Sequence, residues 1–128
     1  MSITFYLQNH NTLVDIPNPH FNPYEPEDPI YNPRLYSEPM YPEINVSNSN
    51  AIRILIELGI QNPDGPFNYS GQILNKNLDD ICKLISAKLY GLKDERLPPD
   101  EVYLLNQLPR FDRLFRFAIG LDDNIIWA

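Results

Sequence analysis

Apolar and polar positions change their period within residues 43–60, EINVSNSNAIRILIELGI. Residues 43–46 alternate between polar and apolar side chains, which is the period of a half-buried strand. The hydroxyl and amide oxygens that follow are typical of a helix N-cap, so a helix is predicted to begin near Ser47 or Asn48. Its apolar positions have helical spacing, and Gly59 offers the left-handed conformation of a helix C-cap. The apolar positions are Ala51, Ile54, Leu55 and Leu58.

Two further short strands are predicted near the two ends of the sequence. Residues 2–8, SITFYLQ, are rich in β-branched and aromatic side chains, and residues 125–127, IIW, share that composition. The second of these strands is expected to return to the sheet beside the first. Residues 12–16 are predicted to pair back on the first strand as a hairpin, because Asn-His-Asn supplies a tight connection.

Residues 17–42 hold eight of the thirteen prolines, so neither a helix nor a central strand is expected to run through them. The segment is predicted to be an extended, polyproline-like arm. Its aromatic and aliphatic content exceeds that of most disordered linkers, which favours an arm laid over the domain. A recognition strip for a partner is the alternative interpretation of the same side chains.

A loop and a second helix are predicted after the first helix. Residues 61–72 are dense in turn residues, and Phe67 and Tyr69 are expected to anchor this loop. The helix that follows ends at Gly91. Its cap is either of two asparagines, and its buried face is a stripe at helical spacing. The residues concerned are the caps Asn75 and Asn77 and the stripe Leu78, Ile81, Cys82, Ile85 and Leu89.

The last helix is predicted to begin at a cap formed by Asp100 and to end at Gly120. Pro109 lies inside its apolar repeat, where proline removes a backbone donor and crowds the preceding turn. Either a kink or two helices that meet at this residue is therefore expected. Residues 122–124, Asp-Asp-Asn, are predicted to form the turn to the final strand.

Charge narrows the classes of partner. Seventeen acidic residues against ten basic ones give a formal net charge of -7, which argues against binding nucleic acid through its phosphates. A partner protein, basic or rich in amides, is favoured, although the same charge also keeps a small domain soluble. The oligomeric state is left open.

Cysteine content and hydropathy restrict the cellular compartments in which the protein is expected. The single cysteine excludes an internal disulfide framework and fits a reducing compartment. The first residues lack the basic start and apolar stretch of a signal peptide, and no apolar run approaches the roughly 18 residues of a membrane span. A cytoplasmic protein without a membrane segment is expected.

Two groups of residues are candidate binding sites. The first is a ligand site at the helix N-terminus, where amide and hydroxyl groups and the helix dipole favour an anion or a polar ligand. Ordinary capping is the favoured interpretation of these residues, because there is no glycine-rich loop and no following lysine. This site consists of Asn45, Ser47, Asn48 and Asn50. The second is a partner-binding strip on the arm, formed by Tyr24, Glu25, Glu27, Asp28, Tyr31 and Tyr36.

No catalytic, metal or cofactor site is predicted. His10 and His20 lie in or beside turns without the spacing of a helical metal site, so exposed loop histidines are the favoured interpretation. Cys82 lies on the apolar face of a helix, which indicates a buried, inert thiol. The adjacent aspartates at 79–80 and 122–123 are assigned to helix capping and turn formation. The carboxylates that could join the histidines around a metal are Asp15, Glu25 and Asp28.

The block NVSNSNA at residues 45–51, followed by the apolar helix, resembles a group of uncharacterised bacterial and phage proteins that carry N-x-S-N-x-N-A after a strand. The closing segment of the chain is similar to theirs as well. The residues that carry this second likeness are Tyr103, Leu104, Leu108, Phe111, Leu114, Trp127 and Ala128. The resemblance implies a shared fold and no particular activity.

These patterns together predict one α+β domain over residues 1–128. About three helices pack on a small three-stranded sheet, and the extended proline-rich arm lies over it. A non-catalytic protein-interaction module is the expected function, and an inhibitory partner such as an immunity or counter-defence protein is the class that it suggests. The alternative is a small-ligand-binding protein that uses the helix N-terminus at residues 45–50.

Overall fold

The computed structural model describes residues 1–17, 37–92 and 99–128. The strands in these ranges are β1 (Ser2–Leu7), β2 (Val14–Pro17), β3 (Ser37–Met40), β4 (Glu43–Ser47), β5 (Gly71–Ile73) and β6 (Ile125–Trp127), and the helices are α1 (Asn48–Glu57), α2 (Asn75–Leu92) and α3 (Pro99–Gly120). Most of the arm predicted over residues 17–42 lies outside the described residues.

Four of these strands form one antiparallel sheet in the order β4-β1-β6-β5. The three strands predicted from the sequence are all in it, and β6 pairs with β1 as expected, with Phe5 opposite Trp127 and Leu7 opposite Ile125. The fourth strand, β5, lies at the end of a segment predicted to be loop. The described residues thus confirm the α+β class with three helices, on a sheet of four strands where three were expected.

The predicted hairpin between β1 and residues 12–16 is wrong. Strand β2 pairs instead with β3, in an antiparallel ribbon that places Val14 opposite Met40 and Pro17 opposite Ser37. The reason is that β4 and β6 occupy both edges of β1, which leaves it no edge for a third partner. Each strand of a two-stranded ribbon keeps one outward edge, and this is the setting in which a strand tolerates a proline such as Pro39.

One hydrophobic core joins the sheet to the three helices. The stripes predicted for α1 and α2 are buried, as is the thiol of Cys82. Phe5 on β1 packs edge-on against Phe111 on α3, with ring centroids 4.9 Å apart, so the central strand and the longest helix share the centre of the core. The residues that α3 contributes are Leu104, Leu108, Phe111, Leu114, Phe115 and Ala118.

Both ends of α1 are as predicted. Ser47 is the N-cap, and its hydroxyl accepts the backbone N–H of Asn50 at 3.4 Å. Gly59 has a φ of 72°, and its N–H donates to the Ile56 carbonyl while the N–H of Ile60 donates to the Leu55 carbonyl. These two bonds are the Schellman motif, which satisfies carbonyl groups that the helix leaves unpaired.

The other helix ends agree with the predictions only in part, since α3 ends at Gly120 as expected but two other ends differ. Helix α2 continues through Gly91 to Leu92, and α3 begins at Pro99, so Asp100 lies in its first turn and is not its cap. Helix α3 is a single helix through Pro109, which rules out two helices meeting there. Proline lacks only one donor of the helical ladder, and burial of Pro109 with its apolar neighbours offsets that loss.

The loop between α1 and β5 has a different anchor from the one expected. Tyr69 is 57% exposed, which does not fit the anchor expected of it, whereas Phe67 is partly buried. The buried side chain of Gln61 holds the loop instead, because it accepts the backbone N–H of Asn68 and donates to the carbonyl of the same residue, at 2.9 and 2.8 Å.

Candidate functional site

The four-stranded sheet has one face packed against the helices and one face that points away from them. Along β1, Ile3, Phe5 and Leu7 are buried in the core, so the side chains between them point to the other side. The same alternation holds in β4, β5 and β6. We call this second side the open face. Its exposed or partly exposed side chains are those of Ser2, Thr4, Tyr6, Glu43, Asn45, Ser47, Gln72 and Ile126.

One row of the open face crosses all four strands. The strand register places Glu43 beside Tyr6, Tyr6 beside Ile126, and Ile126 beside Gln72. Neighbouring strands are about 4.8 Å apart, so side chains in such a row contact one another. The row therefore has a partly exposed aromatic and aliphatic centre with a polar residue at each end.

The sheet carries almost no charge. Glu43 is the only charged residue in β1, β4, β5 and β6, which contain no lysine, arginine or histidine. Within the described ranges, no basic side chain pairs with its carboxylate. A partner that presents phosphate groups would find no counter-charge on this face, whereas a neutral or basic partner meets no repulsion there.

Asn45, the first residue of the predicted ligand site, lies on the open face. Its side-chain amide donates to the hydroxyl groups of Ser2 and Thr4, at 3.0 and 2.8 Å. Because each hydroxyl oxygen accepts this donor, its own proton must point elsewhere. The side chain of Asn45 thus organises the β1–β4 edge of the sheet and takes no part in capping α1.

The other three predicted ligand residues lie at the start of α1. The Ser47 hydroxyl caps the helix, and the backbone N–H of Asn50 is its donor. The backbone N–H of Asn48 donates to the carbonyl of Met1 at 3.3 Å. Two of the N–H groups that an anion would need are therefore used within the protein, in the way that ordinary capping requires.

The predicted partner strip is not part of the described structure. Tyr24, Glu25, Glu27, Asp28, Tyr31 and Tyr36 all lie between residues 17 and 37, outside the described ranges, as do His20 and two of the three carboxylates considered for metal binding. These residues stay a prediction from the sequence.

A buried carboxylate lies in the turn at one end of the sheet, and no sequence motif marks it. The side chain of Asp123, in the turn between α3 and β6, is inaccessible to solvent. It is the one buried charged residue among those described. One oxygen accepts the side-chain amide of Asn9 and the backbone N–H of Asn124, and the other accepts the backbone N–H of Asn9 and Nδ1 of His10, all at 2.8–2.9 Å.

These four donors explain how the protein keeps a charge in a buried place. Burial by itself acts to raise the pKa of Asp123, but the hydrogen bonds from His10, Asn9 and Asn124 outweigh it and lower the pKa below its usual value. The ionised carboxylate is therefore the form that the fold stabilises. It ties the end of β1 to the turn that precedes β6.

Amide side chains extend this cluster to α2 and to the open face. The Asn75 side chain donates to the carbonyl of Asp123 at 2.7 Å, and the Asn75 backbone N–H donates to the side chain of Asn124 at 2.8 Å. The side-chain oxygen of Gln8 accepts from both Asn124 and Gln72, at 2.9 and 2.7 Å. The network joins three segments that are far apart in sequence.

The pair formed by His10 and Asp123 has the geometry with which carboxylates orient an imidazole in catalytic and metal sites. The ring of His10 is 44% exposed, and its Nδ1 atom faces the carboxylate. Among the described residues, however, no group of three or more histidine, cysteine, aspartate or glutamate side chains gathers around a common point. Within the described ranges, the hydrogen bonds of His10 and Asp123 join the segment after β1 to the turn before β6, and none of them involves a nucleophilic side chain.

Cys82 has the environment expected of an unreactive thiol. Burial raises its pKa to about 12, with a further contribution from the nearby Asp112 carboxylate. Its sulfur lies 4.0 Å from the backbone carbonyl of Asp112, whose carboxylate pairs with Arg116 at 2.9 Å. The thiol thus belongs to the contact between α2 and α3.

Comparison of the chain with protein-family models, with curated proteins and with solved structures finds no match. Across the described ranges, none of the helices has the length and apolar character that crossing a membrane requires.

Proposed function

We propose that this chain is a non-catalytic protein-interaction module whose contact surface is the open face of the sheet. The observation that carries the proposal is the row with Tyr6 and Ile126 at its centre and polar residues around it. Protein interfaces have this anatomy, in which an apolar centre rich in tyrosine is enclosed by a polar rim. Because the core is filled from the other side of the sheet, packing within the described residues does not account for this centre.

The kind of partner follows from charge. With a net charge of -7 and no cation in the four strands, the module is suited to a neutral or basic protein and unsuited to nucleic acid. An inhibitory role in the cytoplasm, such as that of an immunity or counter-defence protein, is the class of function that we propose for a small acidic binder. The predicted strip from Tyr24 to Tyr36 would be a second contact with the same partner.

A retention experiment with two tyrosine variants tests the proposal. The tagged full-length chain is expressed in its native cells, and the proteins that co-purify with the wild type are compared with those of Tyr6→Ser. Tyr90→Ser is the matched control, because Tyr90 is 83% exposed on α2, away from the sheet. We expect Tyr6→Ser to lose the partner and Tyr90→Ser to retain it, with urea unfolding used to check that all three proteins are folded under the conditions of the experiment. Equal retention by both variants would refute the open face as the contact surface.

A small-ligand site that includes Asn45 is a second candidate. It is favoured by one observation, that the hydroxyl groups of Ser2 and Thr4 both accept from Asn45, so that the proton of each hydroxyl is left to donate to another acceptor. Native mass spectrometry of the chain purified from its own cells tests this candidate. A small molecule bound to the wild type and absent from Asn45→Ala would support the ligand site, whereas a ligand-free wild-type chain would rule it out.

A further inference from the structure

The open face contains a second, more specific arrangement at the β4 end of its central row. Strand register brings a carboxylate, an aromatic ring and an aliphatic side chain into consecutive places, at Glu43, Tyr6 and Ile126. We propose that these three residues form a receptor for one arginine or lysine side chain of the partner protein. This inference rests on the proposed function, since it names the group that the interaction module recognises.

The chemistry of a cationic side chain matches the order of the row. An arginine has an apolar stem and a planar charged head, which stacks on aromatic rings and binds carboxylates. With its stem over Ile126, its head lies over Tyr6, where the ring attracts a cation, and beside Glu43, which neutralises it. The row spans three strands, or about 10 Å, which is close to the reach of an extended arginine together with the carboxylate that it meets.

The electrostatics of the sheet favour this ligand over an anionic one. Glu43 is the only charge in the four strands, and no basic side chain of the described residues neutralises it. Other carboxylates are already paired within the protein, for example that of Asp79 with Lys83 and that of Glu57 with Lys88. Glu43 therefore offers the sheet's one charge to an outside cation.

A pair of peptides isolates the charge of the ligand. The isotope-labelled full-length chain is titrated, by NMR, with the blocked tripeptide Gly-Arg-Gly and with its citrulline counterpart, which is nearly the same shape but uncharged. We expect the arginine peptide to shift the amide signals of Tyr6, Glu43 and Ile126 before others, and the citrulline peptide to bind about tenfold more weakly, since it loses both the ion pair and the cation–π contact.

Three variants locate the site. Glu43→Gln and Tyr6→Leu should each lower the affinity for the arginine peptide about two- to fivefold. This change corresponds to the loss of one exposed ion pair or of one exposed cation–π contact. Asp64→Asn is the matched control, because Asp64 is an exposed carboxylate in the loop before β5 and lies outside the row. It removes the same charge and should leave the binding unchanged.

Several results would overturn the inference. The inference is wrong if the arginine and citrulline peptides bind equally, or if millimolar peptide shifts no amide signal in the row. It is also wrong if Asp64→Asn and Glu43→Gln weaken the binding equally, because that result indicates attraction to the overall charge alone. These results are separate from a failure of the proposed function. If Tyr6→Ser loses the native partner while the arginine peptide does not bind the row, the open face remains the interface and only the cation receptor is wrong.

Discussion

Replacement of Asp123 by asparagine should destabilise the protein strongly, although the two side chains have nearly the same size. Each oxygen of the Asp123 carboxylate accepts two N–H donors. An asparagine keeps one oxygen and puts an NH2 group in the place of the other. In one orientation this group faces the backbone N–H of Asn9, and in the other it faces that of Asn124, so one backbone donor is left unpaired in either case.

The magnitude follows from those contacts. A buried donor without an acceptor costs about 1–3 kcal/mol, and the remaining bonds lose the extra strength of an ionised acceptor. We therefore expect Asp123→Asn to lower the free energy of unfolding by about 2–4 kcal/mol. Asp122→Asn is the matched control. Asp122 is exposed and has a φ of 52°, a conformation that asparagine tolerates equally well, so its effect should stay within about 0.5 kcal/mol.

Urea unfolding is a direct assay, because the single tryptophan, Trp127, is buried in the core and its fluorescence reports the transition.

The pH dependence of stability is a second test, and its sign is defined. The pKa of Asp123 is lowered by folding, so its contribution is present above the unfolded value of about 3.9 and is lost as the pH falls through the folded value. Wild type should thus lose more stability below pH 4 than Asp123→Asn. Equal stability of the two Asp variants at neutral pH would refute this account of the cluster.

Three further predictions concern backbone geometry and the thiol. Gly59→Ala should destabilise the protein by roughly 1 kcal/mol in urea, because the left-handed cap strains any Cβ, and an unchanged midpoint would contradict this. Gly71→Ala should cost about 2–3 kcal/mol and alter the emission of Trp127, since a Cβ would lie 2.2 Å from the indole ring; an unaltered spectrum and midpoint would oppose it. Cys82 should react with a thiol reagent only on unfolding, given a pKa of about 12, and rapid labelling of the folded chain would disprove it.

Local patterns predicted most of the helices and strands because each is a statement about neighbours in sequence. The stripe of α1, its cap at Ser47 and its end at Gly59 depend on spacings of a few residues, and all three are confirmed. Strand β5 was missed for the opposite reason. It has three residues and begins with Gly71, so no alternation marks it, and it exists because β6 supplies its hydrogen-bond partners.

Pairing is the property that local patterns describe least well. The interpretation of residues 12–16 as a hairpin partner of β1 considered only the short connection between them. It took no account of β4 and β6, which compete for the same two edges from distant places in the sequence. Similarly, the expectation for Pro109 rests on the hydrogen bond that proline removes from the helix and takes no account of the burial of Pro109, which stabilises α3 at that point.

The Asp123 cluster was within reach of the sequence, though not by a motif. The sequence predicted that the final strand returns beside the first. If Leu7 is opposite Ile125, an antiparallel register places Gln8 opposite Asn124 and Asn9 opposite Asp123. Extending the pairing of β1 and β6 by two residues in this way would have predicted a carboxylate next to the turn that carries His10. The open face could not have been inferred from the sequence, because it depends on which side of the sheet all three helices occupy.

We propose that a partner protein binds on the open face, and this contact surface can be mapped residue by residue. Cross-saturation NMR of the labelled chain, in complex with the protein that it retains from its native cells, maps that surface directly. We expect signal loss at Tyr6, Ile126, Glu43 and Gln72, with no loss at the exposed Tyr90 of α2. Signal loss at Tyr90 and along α2 and α3, with the central row unaffected, would contradict it.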